Sequence, residues 1–199
     1  MKQVIIFGND HTNSIGLIHS MGKAGYMCIA LVYGVKTGFV KSSRFTKEVI
    51  SAKDAQACIE KLCETQYGID KKLPIIAGCD MAALTLERNA DILKDRFLFE
   101  YASNYSLEYL AQKENQVRLA SEAGFNVPNT WNLKDSKIIP EDVCYPCLIK
   151  PLVSCEGAKS DIRVCRDREA LEHNIEDLKY TKQVLLQQYI ERDYEISIL

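Results

Sequence analysis

The sequence predicts an α/β chain, with a parallel sheet first and a smaller α+β lobe after it. Three observations carry this. The first strand candidate, Val4-Ile5-Ile6-Phe7, is apolar without alternation, as a strand covered on both faces should be. Strand and helix patterns then alternate through the first half of the chain, the rhythm of right-handed βαβ crossovers. After Val127-Pro128 the texture changes to short strands separated by polar stretches.

Taken in order, Gly8 breaks the first strand. A helix is expected from Ser14 to Ala24, with Asn13 as N-cap, Gly25 as C-cap and a buried stripe of Ile15, Ile18 and Met21. Cys28 to Tyr33 is the second strand. Asp54 is placed to cap a helix whose Cys58, Ile59, Leu62 and Cys63 share one face at helical period, and Gly68 is expected to end it. Ile75 to Ala77 forms a short strand after Pro74. Asp80 is placed to cap a helix carrying Met81, Leu84 and Leu86, and Phe97 to Phe99 reads as an edge strand.

Ser106 then caps a longer helix to about Ala123, with Leu107, Leu110, Val117 and Ala120 inward and Gly124 at its end. Residues 134–142 read as a loop. Strands follow at 146–150 and 161–165, then a helix from Asp167 to about Leu178 with Leu171, Ile175 and Leu178 on one face. Strands at 183–190 and 194–199 complete the pattern. The expected division is a Rossmann-like domain over 1–112 and a second domain over 113–199.

The composition narrows the function. Of 199 residues, 47% are apolar and 26% charged, values ordinary for a globular protein. A net charge of −2, with the two signs interspersed, offers no basic footprint for nucleic acid. No apolar run nears the ~18 residues of a membrane span, and the first strand is too short for a signal peptide. The expected compartment is therefore the cytoplasm, where the eight cysteines would stay reduced. Cys144-x-x-Cys147 has no second such pair to complete a zinc knuckle, so these cysteines read as small core residues. His11, His19 and His173 lie on different segments and form no ligand pair.

The chemistry concentrates in Tyr145-Pro146-Cys147-Leu148-Ile149-Lys150-Pro151, followed by Ser154-Cys155-Glu156-Gly157-Ala158-Lys159-Ser160. A short apolar strand delivers a lysine to a buried spot, and a small, polar, glycine-containing loop follows. An unpaired ammonium costs several kcal/mol to bury, so Lys150 needs an anionic or polar partner. A P-loop does not fit: Leu152 occupies its first glycine position, and a strand rather than a helix follows. A dinucleotide fingerprint does not fit either. Gly8 and Gly16 lack the tight Gly-x-Gly-x-x-Gly spacing, and no acidic residue ends the second strand at Val32-Tyr33-Gly34.

One ordered set of elements does fit. Gln112-Lys113 opens it, then Ala123-Gly124-Phe125-Asn126-Val127-Pro128, the Lys150 strand, the Gly157 loop, Val184-Leu185-Leu186-Gln187-Gln188-Tyr189-Ile190 and Tyr194-Glu195-Ile196. In this order residues 113–199 resemble the ATP-grasp superfamily, and the preceding part resembles its Rossmann-like pre-ATP-grasp domain. The resemblance implies the small α+β lobe of an ATP-grasp domain, present only in part. It implies ATP as cofactor, with Lys113 and Lys150 on its phosphates and Ser154, Gly157 and Lys159 in a closing loop. Gln187, Gln188 and Ile190 would lie along the adenine edge, and Glu195 would take the ribose hydroxyls. The family commonly has Glu, often followed by Lys, where Gln187 and Gln188 stand.

The implied activity is that of an N-terminal part of an ATP-dependent carboxylate–amine ligase, or a bicarbonate-activating ligase of the carbamoyl-phosphate-synthase kind, working through an acyl phosphate. The partners would be ATP, a small carboxylate and an amine. Mg²⁺ ligands are expected beyond Leu199, so the 199-residue chain alone is expected to be inactive. Apolar surface left where a further lobe would pack would drive it into a homo-oligomer. Asn9 to Asn13, after the first strand, is the local candidate for substrate contact. The competing readings are a non-catalytic nucleotide-binding or assembly module, which the two glutamines allow, and a nicotinamide enzyme, which the missing fingerprint opposes.

Overall fold

The computed structural model describes residues 2–34, 38–100, 104–133, 138–152, 162–178 and 184–194. The chain divides into two compact units, Met1–Leu107 and Glu108–Leu199.

The first unit is built on a five-stranded parallel sheet in the order β3-β2-β1-β4-β5. Its strands are β1 (Lys2–Asn9), β2 (Tyr26–Tyr33), β3 (Thr46–Ala52), β4 (Leu73–Ala77) and β5 (Phe97–Leu98). The helices between them are α1 (Thr12–Lys23), α2 (Ala55–Glu64), α3 (Asp80–Arg88) and α4 (Ala90–Leu93). Strand alternation sends Ile5 and Phe7 into a core with Ile59, Leu62 and Leu86. Val4 and Ile6 go into a second core with Ile18 and Val40. Two buried faces account for the unbroken apolar runs of β1 and β2.

Several expectations are corrected here. β3 is a strand that periodicity does not reveal. It is an edge strand, carries Lys47 and Glu48, and buries only Ile50, so it lacks the apolar run of its neighbours. α1 starts at Thr12 rather than Ser14, with His11 at the cap and no side-chain capping bond. Asn13 is therefore inside the helix, and Ser14 Oγ instead donates to Asn9 O at 2.7 Å. The α1 stripe is Ser14, Ile18 and Gly22, with Ile15 and Met21 only half-buried. Asp80 is the first residue of α3 and Cys79 its cap. α2 ends at Glu64, and Gly68 lies in the following loop with a φ of +76°. The Asp54 cap does form, its Oδ1 accepting from Ala57 N at 2.8 Å.

The second unit holds α5 (Leu107–Ala111, which begins at the division), α6 (Lys113–Glu122) and α7 (Arg168–Glu176). It also holds β6 (Thr130–Leu133), β7 (Cys147–Pro151), β8 (Arg163–Cys165) and β9 (Val184–Gln188). The strands form a sheet in the order β6-β9-β7-β8, with every pairing antiparallel. Leu133, Cys147, Ile149, Cys165, Val184 and Leu186 point to one face and bury against Leu171 of α7. Asp167 caps α7, accepting from Ala170 N at 2.8 Å. Ile139, within the stretch expected to be a polar loop, is buried in the same core.

β6 has no counterpart among the expected strands, and the single helix expected from Ser106 to Ala123 is two. Gln112 is extended, with ψ of 118°, between α5 and α6. That break lets Lys113 N donate to Leu152 O at 3.1 Å, satisfying an amide that helix geometry leaves open at an N-terminus. Leu107, Leu110, Val117 and Ala120 are half-buried rather than core residues. The strand expected at 194–199 lies almost wholly outside the described residues.

Candidate functional site

The site builds outward from β7. Its residues alternate, with Cys147, Ile149 and Pro151 buried and Leu148 and Lys150 half-buried on the opposite face. Register places Lys150 beside Leu185 and Leu185 beside Asn132, while Leu148 lies beside Gln187 and Gln187 beside Thr130. Laterally paired residues share a face, so Lys150, Gln187, Thr130 and Asn132 stand together on the side away from the core.

Lys150 Nζ donates to Gln187 Oε1 at 2.5 Å. Gln187 Nε2 lies 3.4 Å from Thr130 Oγ1, which orients the amide with its oxygen toward the lysine. A neutral amide thus partners the half-buried ammonium, and burial pushes the Lys150 pKa below its ordinary 10.5. Lys113 reaches the same strand: its Nζ donates to Pro151 O at 2.9 Å, beside its amide bond to Leu152 O. The next residue, Glu114, accepts from Asn132 Nδ2 at 2.7 Å. The start of α6 is thereby tied to β7 by Lys113 and to β6 by Glu114.

The other expected site residues fall differently. Gln188 turns toward β6, its Oε1 3.4 Å from Asn129 N, and its own amide donates to Asn129 O at 2.8 Å. Tyr189 N donates to Pro146 O at 2.9 Å. Ile190 follows β9 and is exposed, and its amide has no acceptor among the described residues. Ser154, Gly157, Lys159 and Glu195 lie outside the described residues.

Two polar residues of the site escape a reading of the sequence. Thr130 and Asn132 alternate with Trp131 and Leu133 in β6, a period-two signal too short to stand out. Asn132 Oδ1 is buried and has no hydrogen-bond partner among the described residues, a state uncommon for a buried polar atom. Cys28, Cys58, Cys147 and Cys165 are buried as expected of core residues, whereas Cys63 and Cys79 are half-buried, Cys144 is exposed and Cys155 lies outside the described residues. Cys147 and Cys165 face each other across β7 and β8, and burial pushes the Cys147 thiol up to about 11. Among the described residues no group of three or more His, Cys, Asp or Glu side chains would hold a metal ion. No described helix is long and apolar enough to cross a membrane.

A parallel α/β unit followed by a small antiparallel lobe is a fold that the chain shares with solved structures. No protein-family model and no curated protein sequence matches the chain. Solved structures do. An N5-carboxyaminoimidazole synthetase from Staphylococcus aureus, complexed with ADP, superposes with a TM-score of 0.67 at 16% identity over 96% of this chain and 48% of that one. An L-amino acid ligase from Bacillus licheniformis gives 0.64 at 11% identity, over 96% and 44%. A D-alanine–D-alanine ligase from Bacillus anthracis, complexed with ATP, gives 0.58 at 13% identity, over 96% and 59%. The chain spans about half the length of these proteins.

Proposed function

We propose that the chain forms part of the nucleotide site of an ATP-dependent carboxylate–amine ligase. The observation that carries this reading is the half-buried Lys150 ammonium, whose partner among the described residues is a neutral amide. A site with that imbalance favours an anion, and a lysine suits a phosphate that must later be released. Lys113, held at the end of the same strand, supplies the second cation, and the open Ile190 amide supplies a donor for a base edge. The buried Asn132 Oδ1 gives a nearby ammonium or a bound water an acceptor on the same face. In such a ligase the γ-phosphoryl group passes from ATP to a carboxylate oxygen and ADP leaves. The amine then attacks the acyl carbon and phosphate leaves. No step is assigned to magnesium, for which the described residues offer no cluster.

The test is calorimetric titration of ATP into the chain and into Lys150→Ala, with folding of the variant verified by circular dichroism. Losing a charge-assisted contact of about 1.5–3 kcal/mol should weaken binding roughly 10- to 100-fold. A wild-type chain that binds no ATP, or a variant that binds equally well, would overturn the reading. The pH dependence has a fixed sign. Burial disfavours protonated Lys150, so its fold-destabilising effect is full at low pH and is relieved as pH rises from the depressed folded pKa to 10.5. ATP needs the protonated form, so affinity should fall as pH rises through that same folded pKa. A non-catalytic nucleotide-binding module would share this binding.

A further inference from the structure

The first unit has a second concavity that shares no residue with the Lys150 site. It is a cleft of about 700 Å³ at the amino ends of β1, β2 and β4, closed on one side by the loop between α2 and β4. That volume falls in the range of small-molecule sites. Its walls are held in place before any ligand arrives. The Arg96 guanidinium donates to Cys63 O at 2.9 Å, to Thr65 O at 2.6 Å, and to Tyr67 O at 2.6 and 3.0 Å, fastening the loop from behind. Gly68 is buried against Arg96, whose carbonyl oxygen would lie only 2.2 Å from any Cβ there. Tyr67 in turn donates its hydroxyl to Glu48.

The lining has a definite chemistry. Three lysines, Lys2, Lys71 and Lys72, face a single carboxylate, Asp70, although the whole chain is net negative. Lys2 Nζ is held 5.7 Å from the centroid of the Tyr26 ring, and Lys72 Nζ donates to Lys94 O at 2.6 Å. The Tyr26 and Tyr67 side chains are half-buried, while Ile69 and Leu98 expose large apolar surface beside them. Cations at the rim and aromatic and apolar groups in the wall are complementary to one kind of small molecule.

We propose that this cleft binds an aromatic anion, a planar ring bearing a phosphate or carboxylate, at a site separate from the nucleotide lysines. The ring packs on the tyrosine and aliphatic surface, and the charge meets Lys2 and Lys71. The probe is phenyl phosphate, titrated into the isotope-labelled full chain and followed by amide chemical shifts, with inorganic phosphate as the ring-free control. Saturable shifts at Gln3, Tyr26 and residues 66–73 are expected. Binding should weaken at least about tenfold in the Lys2→Glu/Lys71→Glu variant, whose fold the same spectra report, and inorganic phosphate should bind at least about tenfold more weakly. Shifts confined to β7 and β9, an unchanged response in the charge-reversed variant, an equal response to inorganic phosphate, or no saturable shift would each overturn the proposal. None of these outcomes depends on whether ATP binds at Lys150.

Discussion

The two sheets treat their faces differently. The parallel sheet of the first unit is buried on both sides, with separate cores against opposite faces of β1 and β2. The antiparallel sheet of the second unit packs its core against one face, and on the other Lys150, Gln187, Thr130 and Asn132 stand around the buried Leu185. Two-sided burial leaves no room for an ammonium in mid-strand, because its desolvation would go uncompensated. A face covered only in part tolerates a lysine whose head group keeps a polar partner, as Lys150 does in Gln187. The candidate site therefore sits on the less completely covered sheet, whereas β1 and β2 of the parallel sheet carry no charged residue in their interiors.

This contrast can be broken in three ways, beginning with the largest effect. Leu186 is fully buried in the core that the second sheet packs against α7. Leu186→Ala should cost about 2–5 kcal/mol. Hydrogen exchange should show the Leu148 and Leu185 amides losing protection while Ile5 and Ile29 keep theirs. Equal loss in both sheets would show that the units do not respond separately. The second test is alkaline. Burial raises Cys147 from its ordinary 9.0 to about 11, and Cys58 in the first unit likewise to about 11. The unfolded thiols ionise first, so the stabilisation is full below pH 9 and is lost as pH climbs through 11. Trp131, the chain's one tryptophan, reports the second unit by its fluorescence. Cys147→Ala should remove the Cys147 share of the alkaline change at Trp131 and leave that of the first sheet, read by circular dichroism, as it was. The smallest effect is at the helix caps. Asp54→Ala and Asp167→Ala each remove one side-chain bond to a helix amide and should cost about 1 kcal/mol apiece in their own unit, measured by denaturant unfolding.

What the sequence disclosed follows the same division. β1 and β2 were legible because an unbroken apolar run of strand length, closed by a glycine, suits a strand covered on both faces and little else. The Asp54 cap was legible because the aspartate precedes a clear helical stripe, while Asp167, expected to be the first residue of its helix, is the cap instead. β3 and β6 were not, since an edge strand and a four-residue strand with one buried position produce hardly any pattern. The Lys150 strand stood out as a charge closing an apolar run. Its bond to Gln187 did not, because residues 37 apart meet only through a register that the sequence does not spell out. The break at Gln112 was hidden for a related reason: good helix formers surround it, and a long-range bond from Lys113 to Leu152 overrides their propensity. Asp10 shows the opposite case. It falls inside the segment expected to meet substrate, yet its carboxylate accepts from Gly38 N and Val40 N at 2.7 and 3.0 Å and so braces the turn before β3.

Gly22 bears on ancestry. It is buried in α1, and a Cβ there would lie 2.1 Å from the Phe45 ring. Helix and aromatic ring thus occupy a volume that admits one or the other addition, never both. Among descendants of a common ancestor, the two positions should drift together: a methyl gained at 22 requires a smaller residue at 45, and a retained aromatic at 45 holds 22 at glycine. Such a correlated pair survives long after overall identity has decayed, and it offers a marker for tracing distant kin of this chain where residue-by-residue likeness has faded.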